Sequence, residues 1–138
     1  GTGDYTNCLC TDRTKEKDQF LYARSHIALC ANVAGIDSVD TVFFDIKDAD
    51  GFRNETRQAK LLGFTGKSCI HPSQVPIVHQ VFTPDNKSVE KSLKIINESK
   101  KAAHEGVGVI VIDGKMVDEP IIKKAERILE LASAAGML

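Results

Sequence analysis

Three observations in the sequence predict an α/β fold. A β-branched and aromatic run, Val39–Ile46, is followed by an amphipathic segment, Phe52–Leu62, and by a second short apolar run, Lys67–His71. That order is the mark of a strand–helix–strand unit whose strands lie parallel and whose crossover is right-handed. The apolarity of Val39–Ile46 is continuous and not alternating, as in a strand covered on both faces. Further on, Asp113-Gly114 stands between two apolar stretches, which is the strongest short-range signal of a β-hairpin.

The elements follow in order. Residues 1–19 are polar and carry a charge run through Asp18, so they read as a loop. From Phe20 to Val33 the apolar residues Phe20, Ala23, Ile27, Cys30 and Ala31 recur at helical spacing, and Gly35 stands where a terminating glycine belongs. After the Val39–Ile46 strand, Asp48, Asp50 and Gly51 form a turn and cap. The next helix presents Phe52, Thr56, Ala59 and Leu62 on one face and ends at Gly63. The strand Lys67–His71 stops at Pro72, and Pro72–Phe82 reads as a helix.

Thr83-Pro84-Asp85-Asn86 then breaks the chain. Beyond it come a charged helix, Ser88–His104, with Val89, Leu93 and Ile96 inward, and a hairpin of Val107–Ile112 and Lys115–Val117. The last helix, Ile121–Ala135, carries a stripe of Ile121, Ile122, Ala125, Ile128, Leu129 and Ala132. The organisation expected is therefore an α/β unit over 1–82 and a helix–hairpin–helix extension over 83–138.

Composition narrows the function classes. In 138 residues, 42% are hydrophobic and 27% charged, with 18 Lys and Arg against 19 Asp and Glu. A net charge of −1 disfavours nonspecific nucleic-acid binding, although a local patch for a phosphorylated ligand remains compatible with it. No apolar run approaches the ~20 residues that span a bilayer, and no signal peptide opens the chain. Gly1 in place of Met makes a processed chain, or one continuing upstream, the expectation. Cys8, Cys10, Cys30 and Cys69 form no C-x-x-C pair and no zinc cluster; they read as structural thiols in a reducing cytoplasm, with Cys30 and Cys69 acting as small hydrophobes.

No Walker loop, G-x-S-x-G, H-E-x-x-H or dinucleotide glycine pattern is present. What remains are polar residues at the carboxyl ends of the strands, where α/β folds seat their ligands. Asp45 closes the first strand and His71 the second, with Asp48 and Asp50 between them. Each has an ordinary structural role open to it: helix capping for Asp48 and Asp50, and a hydrogen-bonded core position for His71. Asp118, followed by Glu119 and Pro120, has the residues of a helix start. Asp4, between Gly3 and Tyr5, reads as a loop aspartate.

Whole segments nevertheless have a familiar cast. LYARSHIALCANVAGIDSVDTVFFDIKDADGF, AKLLGFTGKSCIHPSQVPIVHQVFTP and GVIVIDGKMVDEPIIKKAERIL resemble, in order and spacing, the citrate lyase β-subunit family, the citryl-CoA lyases and their HpcH/HpaI aldolase-like relatives that cleave malyl- or citramalyl-CoA. The resemblance runs over nearly the whole chain and rests on two specific strings, GF-x-GK-x-x-IHP-x-Q and GKMVD-x-P. It implies the C-terminal part of a (β/α)8 TIM barrel, with strands seven and eight and a helical lid containing the hairpin. A complete barrel needs about 250 residues.

The resemblance also implies an activity: Mg2+-dependent retro-Claisen cleavage of a 3-hydroxyacyl thioester carried on CoA or an acyl-carrier protein. For citryl thioester the products are oxaloacetate and an acetyl thioester. The family's assembly is a homotrimer or a multiple of it, with other citrate lyase subunits as partners. Its G-A-E-D-type string maps to Gly1-Thr2-Gly3-Asp4, so Asp4 inherits the role of metal ligand, while Gly3 replaces the neighbouring glutamate. The aspartate of the GKMVD-like string maps to Asp118, an acid/base that acts in the neighbouring subunit's site. Asp45 and His71 fall at the substrate-binding rim. The family's substrate-binding arginine and second metal-ligating glutamate have no counterpart in these residues, so the chain alone is expected to be inactive. A non-catalytic half-barrel that binds partners through its open edge is the alternative.

Overall fold

The N-terminal stretch expected to be a loop instead opens with a helix, α1, Thr2–Cys8. Tertiary contact overrides its weak pattern. Thr6 is buried, its hydroxyl donates to the carbonyls of Thr2 and Gly3, and the Tyr5 ring sits 5.7 Å from that of Phe20. The computed structural model describes every residue except 13, 15, 16 and 106–109, and describes 104 and 105 by backbone alone. Parts of two expected elements, residues 13, 15 and 16 of the first loop and 107–109 of the hairpin, therefore lie outside the described residues.

The chain packs as two compact units, Gly1–Phe82 and Thr83–Leu138. In the first, a 3-10 turn at Asp18–Phe20 leads into α2, Leu21–Ala34, which ends at Gly35 in the left-handed conformation (φ 68°). The buried face of α2 is Phe20, Arg24, Ala28 and Ala31, rotated from the expected stripe. Ile27 is 56% exposed, and Cys30 faces outward. Arg24 takes the place an apolar residue was expected to fill because two acceptors, Asp40 and Gln58, await its guanidinium inside.

β1 is Val39–Asp40 and β2 is Gly66–Lys67, paired in parallel with Val39 opposite Gly66 and Asp40 opposite Lys67. Both are much shorter than the runs Val39–Ile46 and Lys67–His71 suggested. Among the described residues β1 has β2 as its sole ladder partner, and Val39, Phe44 and Ile46 are exposed, so the expected cover on both faces is not present. Apolarity marks residues that could be buried; ladder length depends on a neighbour. Between the strands runs α3, Ala49–Leu62, starting three residues before the expected Phe52 because the Asp48 carboxylate caps it by accepting from Gly51 N–H at 2.8 Å. Gly63 (φ 98°) ends it, and Ala28, Ala59 and Phe64 form a small core between α2 and α3.

After β2 a 3-10 turn, Pro72–Gln74, precedes α4, Val75–Phe82. Gln74 is buried: its amide accepts from Ile70 N–H at 2.8 Å and donates to the Phe43 carbonyl at 3.1 Å, which ties this turn to the segment after β1. In the second unit α5, Asn86–Glu105, and α6, Glu119–Ala134, pack against a hairpin of β3, Ile110–Ile112, and β4, Lys115–Val117. Asp113 (φ 51°) and Gly114 (φ 73°) both take positive φ, the two-residue turn foreseen. Ile95, Ile112, Val117 and Ala125 make this unit's core. On α5 the inward residues are Val89, Ser92 and Ile95, with Leu93 displaced to the surface.

Candidate functional site

A buried ion network occupies the centre of the first unit. Arg24 Nε and Nη2 reach the two carboxylate oxygens of Asp40 at 3.0 and 2.8 Å, a bidentate fork, while Nη1 donates to Gln58 at 2.7 Å. Lys67, whose side chain is fully buried, donates to Asp40 Oδ2 at 2.9 Å and to Glu55 Oε1 at 2.5 Å. The other oxygen of Glu55 meets the ammonium of Lys17, which also lies 4.5 Å above the Phe43 ring. Burial by itself would raise the Asp40 pKa, but hydrogen bonds and charge from Arg24 and Lys67 outweigh it and hold the carboxyl below the usual carboxylate range.

Two cavities flank this network. The larger, about 800 Å3, is lined by Thr14, Lys17, Phe43, Asp45, Asp48 and Glu55, among others. The smaller, about 300 Å3, is lined by Thr2, Tyr5, Arg24, Asp40 and Phe64, among others.

The residues singled out from the sequence are dispersed. Asp45 is on the wall of the larger cavity, exposed, with Oδ1 accepting from Lys47 N–H at 3.1 Å. His71 is exposed, contrary to the core position its sequence setting suggested. It precedes Pro72, and its Nδ1 caps the 3-10 turn through Ser73 N–H at 3.2 Å and the Ser73 hydroxyl at 2.8 Å. Asp4 lies in the first turn of α1, not in a loop, and its side chain is 96% exposed. Asp118 belongs to the other unit and caps α6, with Oδ1 accepting from Ile121 N–H at 3.2 Å. The Asp118 cap uses one of its two carboxylate oxygens.

Among the described residues no group of three or more His, Cys, Asp or Glu side chains gathers to hold a metal ion. Asp4 offers one hard oxygen ligand, which fits Mg2+ drawing its remaining ligands from elsewhere and does not make a closed metal centre. The four cysteines are unpaired and exposed, so Cys30 and Cys69 do not serve as core hydrophobes.

Arg24, Lys17, Glu55 and Lys67 escaped sequence reading, because their pairing spans 12 to 38 residues and no local pattern marks any of them. One signal was available: Lys67 follows Gly66 at the head of an apolar run, and Arg24 sits four residues from Phe20 and from Ala28 on a helix, positions that bury a charge only if it is paired.

The sequence model of the HpcH/HpaI aldolase/citrate lyase family matches residues 1–72, just over half of the chain. Citrate lyase subunit beta of Escherichia coli (strain K12) is 39% identical over 137 residues, 99% of this chain and 45% of that protein. The mitochondrial citramalyl-CoA lyase of Rattus norvegicus is 33% identical over 134 residues, 97% of this chain and 40% of that one. Among solved structures, CitE from Mycobacterium tuberculosis, in complex with magnesium, acetoacetate and coenzyme A, superposes with a TM-score of 0.71. It shares 30% identity and is matched over 93% of this chain and 48% of its own. The chain thus spans less than half the length of these relatives, and it belongs to the HpcH/HpaI aldolase/citrate lyase family.

Proposed function

We propose that this chain serves a Mg2+-dependent carbon–carbon lyase that cleaves a 3-hydroxyacyl thioester, with citryl-CoA or citryl-carrier protein as substrate. The observation that carries the reading is the 39% identity to a citrate lyase β subunit across 137 residues. In the reaction the substrate hydroxyl loses its proton and its oxygen becomes a keto group. The adjacent carbon–carbon bond breaks, and its electron pair forms the enolate of the acetyl thioester, which then takes up a proton. Asp118 is the acid/base of this proton traffic, acting on a neighbouring subunit's site, and Asp45 and His71 contact the substrate. Asp4 contributes one ligand to Mg2+, which when bound supplies Lewis-acid polarisation of a substrate oxygen. These residues do not catalyse alone, since they provide Mg2+ with a single carboxylate. The four unpaired cysteines suit a reducing, cytoplasmic setting.

The test is turnover of citryl-, malyl- and citramalyl-CoA by the protein in its native assembly with Mg2+ present. Citryl-CoA cleavage to oxaloacetate is the expected result. Preference for citramalyl-CoA would move the protein to the neighbouring activity, which the 33% identity to a citramalyl-CoA lyase supports. No turnover of any of the three would leave the alternative of a non-catalytic interaction module, for which the exposed Val39 of β1 speaks.

A further inference from the structure

Asp45 and His71 ride on segments that the strands do not hold. Among the described residues the backbone rungs between these segments run as far as Ser68 N–H to the Asp40 carbonyl at 3.0 Å. Further along, the buried side chain of Gln74 stands where rungs would be. Its amide accepts from Ile70 N–H at 2.8 Å and donates to the Phe43 carbonyl at 3.1 Å. Ile70 immediately precedes His71, and Phe43 lies two residues before Asp45. The backbone of Gln74 adds a third tie, its N–H donating to the His71 carbonyl at 3.0 Å. His71 is thus held on both sides by one residue.

We propose that Gln74 is a positioning residue, a clasp that fixes the loop bearing Asp45 and the turn bearing His71 in a single arrangement toward the substrate. A side-chain amide carries a donor and an acceptor in one plane, which is what one carbonyl and one N–H beyond the end of a ladder require. An apolar side chain here would take the partner from both backbone groups inside the protein. The loop is also anchored through its own side chain, since the Phe43 ring lies 5.8 Å from that of Phe52, itself buried in α3. Asp45 in turn accepts from Lys47 N–H at its carboxylate and from Asp48 N–H at its carbonyl. Movement at Phe43 therefore reaches the Asp45 carboxylate within two residues. The substrate-facing role of the clasp rests on the lyase reading; the clasp itself rests on these contacts.

Two variants separate positioning from packing. Gln74→Met keeps the length of the side chain and loses both hydrogen bonds of the amide. Gln74→Glu keeps the acceptor for Ile70 N–H and sets a carboxylate oxygen against the Phe43 carbonyl. Protonation turns that oxygen back into a donor, and burial raises the pKa at which this happens. With the thioester that the unaltered native assembly turns over, KM of Gln74→Met should rise about tenfold at every pH while kcat changes less than about threefold, because Asp45 and His71 bind substrate and carry no proton. Gln74→Glu should match Gln74→Met at about pH 9 and approach the unaltered protein at about pH 6. An unchanged KM in Gln74→Met beside a lowered melting temperature, or a KM of Gln74→Glu as high at the lower pH as at the higher, overturns the assignment. Hydrogen exchange followed by mass spectrometry reads the clasp without turnover. In Gln74→Met the amides of Lys47 and Asp48 should exchange about tenfold faster and those in the middle of α3 at their original rate. Faster exchange confined to Ile70 would also overturn it. Absence of turnover in the unaltered protein would end the lyase reading and leave the exchange result to decide the clasp.

Discussion

Asp40 and Lys67 are partners twice over: they stand opposite each other in the β1–β2 register, and Lys67 Nζ lies 2.9 Å from Asp40 Oδ2. A ladder of two residues per strand supplies few backbone hydrogen bonds, so side chains that bridge the same pair of strands take on part of their cohesion. Removing Lys67 takes one buried charge-assisted bond from Asp40, which keeps Arg24, and one from Glu55, which keeps Lys17. Lys67→Met should therefore lower the unfolding free energy by about 3 kcal/mol, two such bonds at the low end of their usual worth. Asp40→Leu combined with Lys67→Met should cost much less than the sum of the single changes, as measured by urea denaturation in a double-mutant cycle.

Acid should act through the same carboxyl. The Asp40 pKa is lowered in the folded state, so its contribution to stability is fully present above the ordinary carboxylate value of 3.8 and is lost as pH falls through the lowered one. The gap in unfolding free energy between the unaltered protein and Asp40→Asn is expected to be widest near neutral pH and to close below about pH 4. A gap that stays constant on acidification would show that the carboxylate charge is not what stabilises the pair.

Asp118 caps α6, and substitution can separate that cap from the acid/base role proposed for it. Asp118→Asn keeps an N-cap acceptor, so its melting temperature should stay close to that of the unaltered protein, while turnover in the native assembly falls at least about a hundredfold, the typical contribution of an acid/base group. Asp118→Ala should in addition cost about 1 kcal/mol from the lost Ile121 N–H bond. Undiminished turnover in Asp118→Asn would reduce the residue to a cap.

For Asp4 the measurement is Mg2+ dependence. Asp4→Asn in the native assembly should raise the Mg2+ concentration for half-maximal activity about tenfold or more, with no change in melting temperature, because the side chain is 96% exposed. An unaltered Mg2+ requirement would remove Asp4 from the metal's surroundings.

What the sequence made legible was local. Gly35 and Gly63 ended their helices, Asp48 and Asp118 capped theirs, and Asp113-Gly114 turned the hairpin, each through chemistry contained within a few residues. What it concealed depended on distant partners. The run Val39–Ile46 kept only two residues of strand because a ladder needs a neighbour, and α1 formed where Tyr5 meets Phe20, a contact that composition does not reveal. At the candidate site Asp45 was found because it ends an apolar run. Lys17 was not, because a lysine within a charged stretch has no distinguishing neighbour in sequence; its significance comes from Glu55 and Phe43 in space.

Gly3 has nothing within 4 Å of where its Cβ would stand. The position is an open socket beside Asp4: a Cβ can be added there without meeting any atom, and a glycine inside a helix already costs about 1 kcal/mol relative to better helix formers. A glutamate at this site would strengthen α1, place a negative charge in its first turn where the helix dipole favours one, and set a second acid next to the first. The backbone at Gly3 thus has room for a second acid beside Asp4.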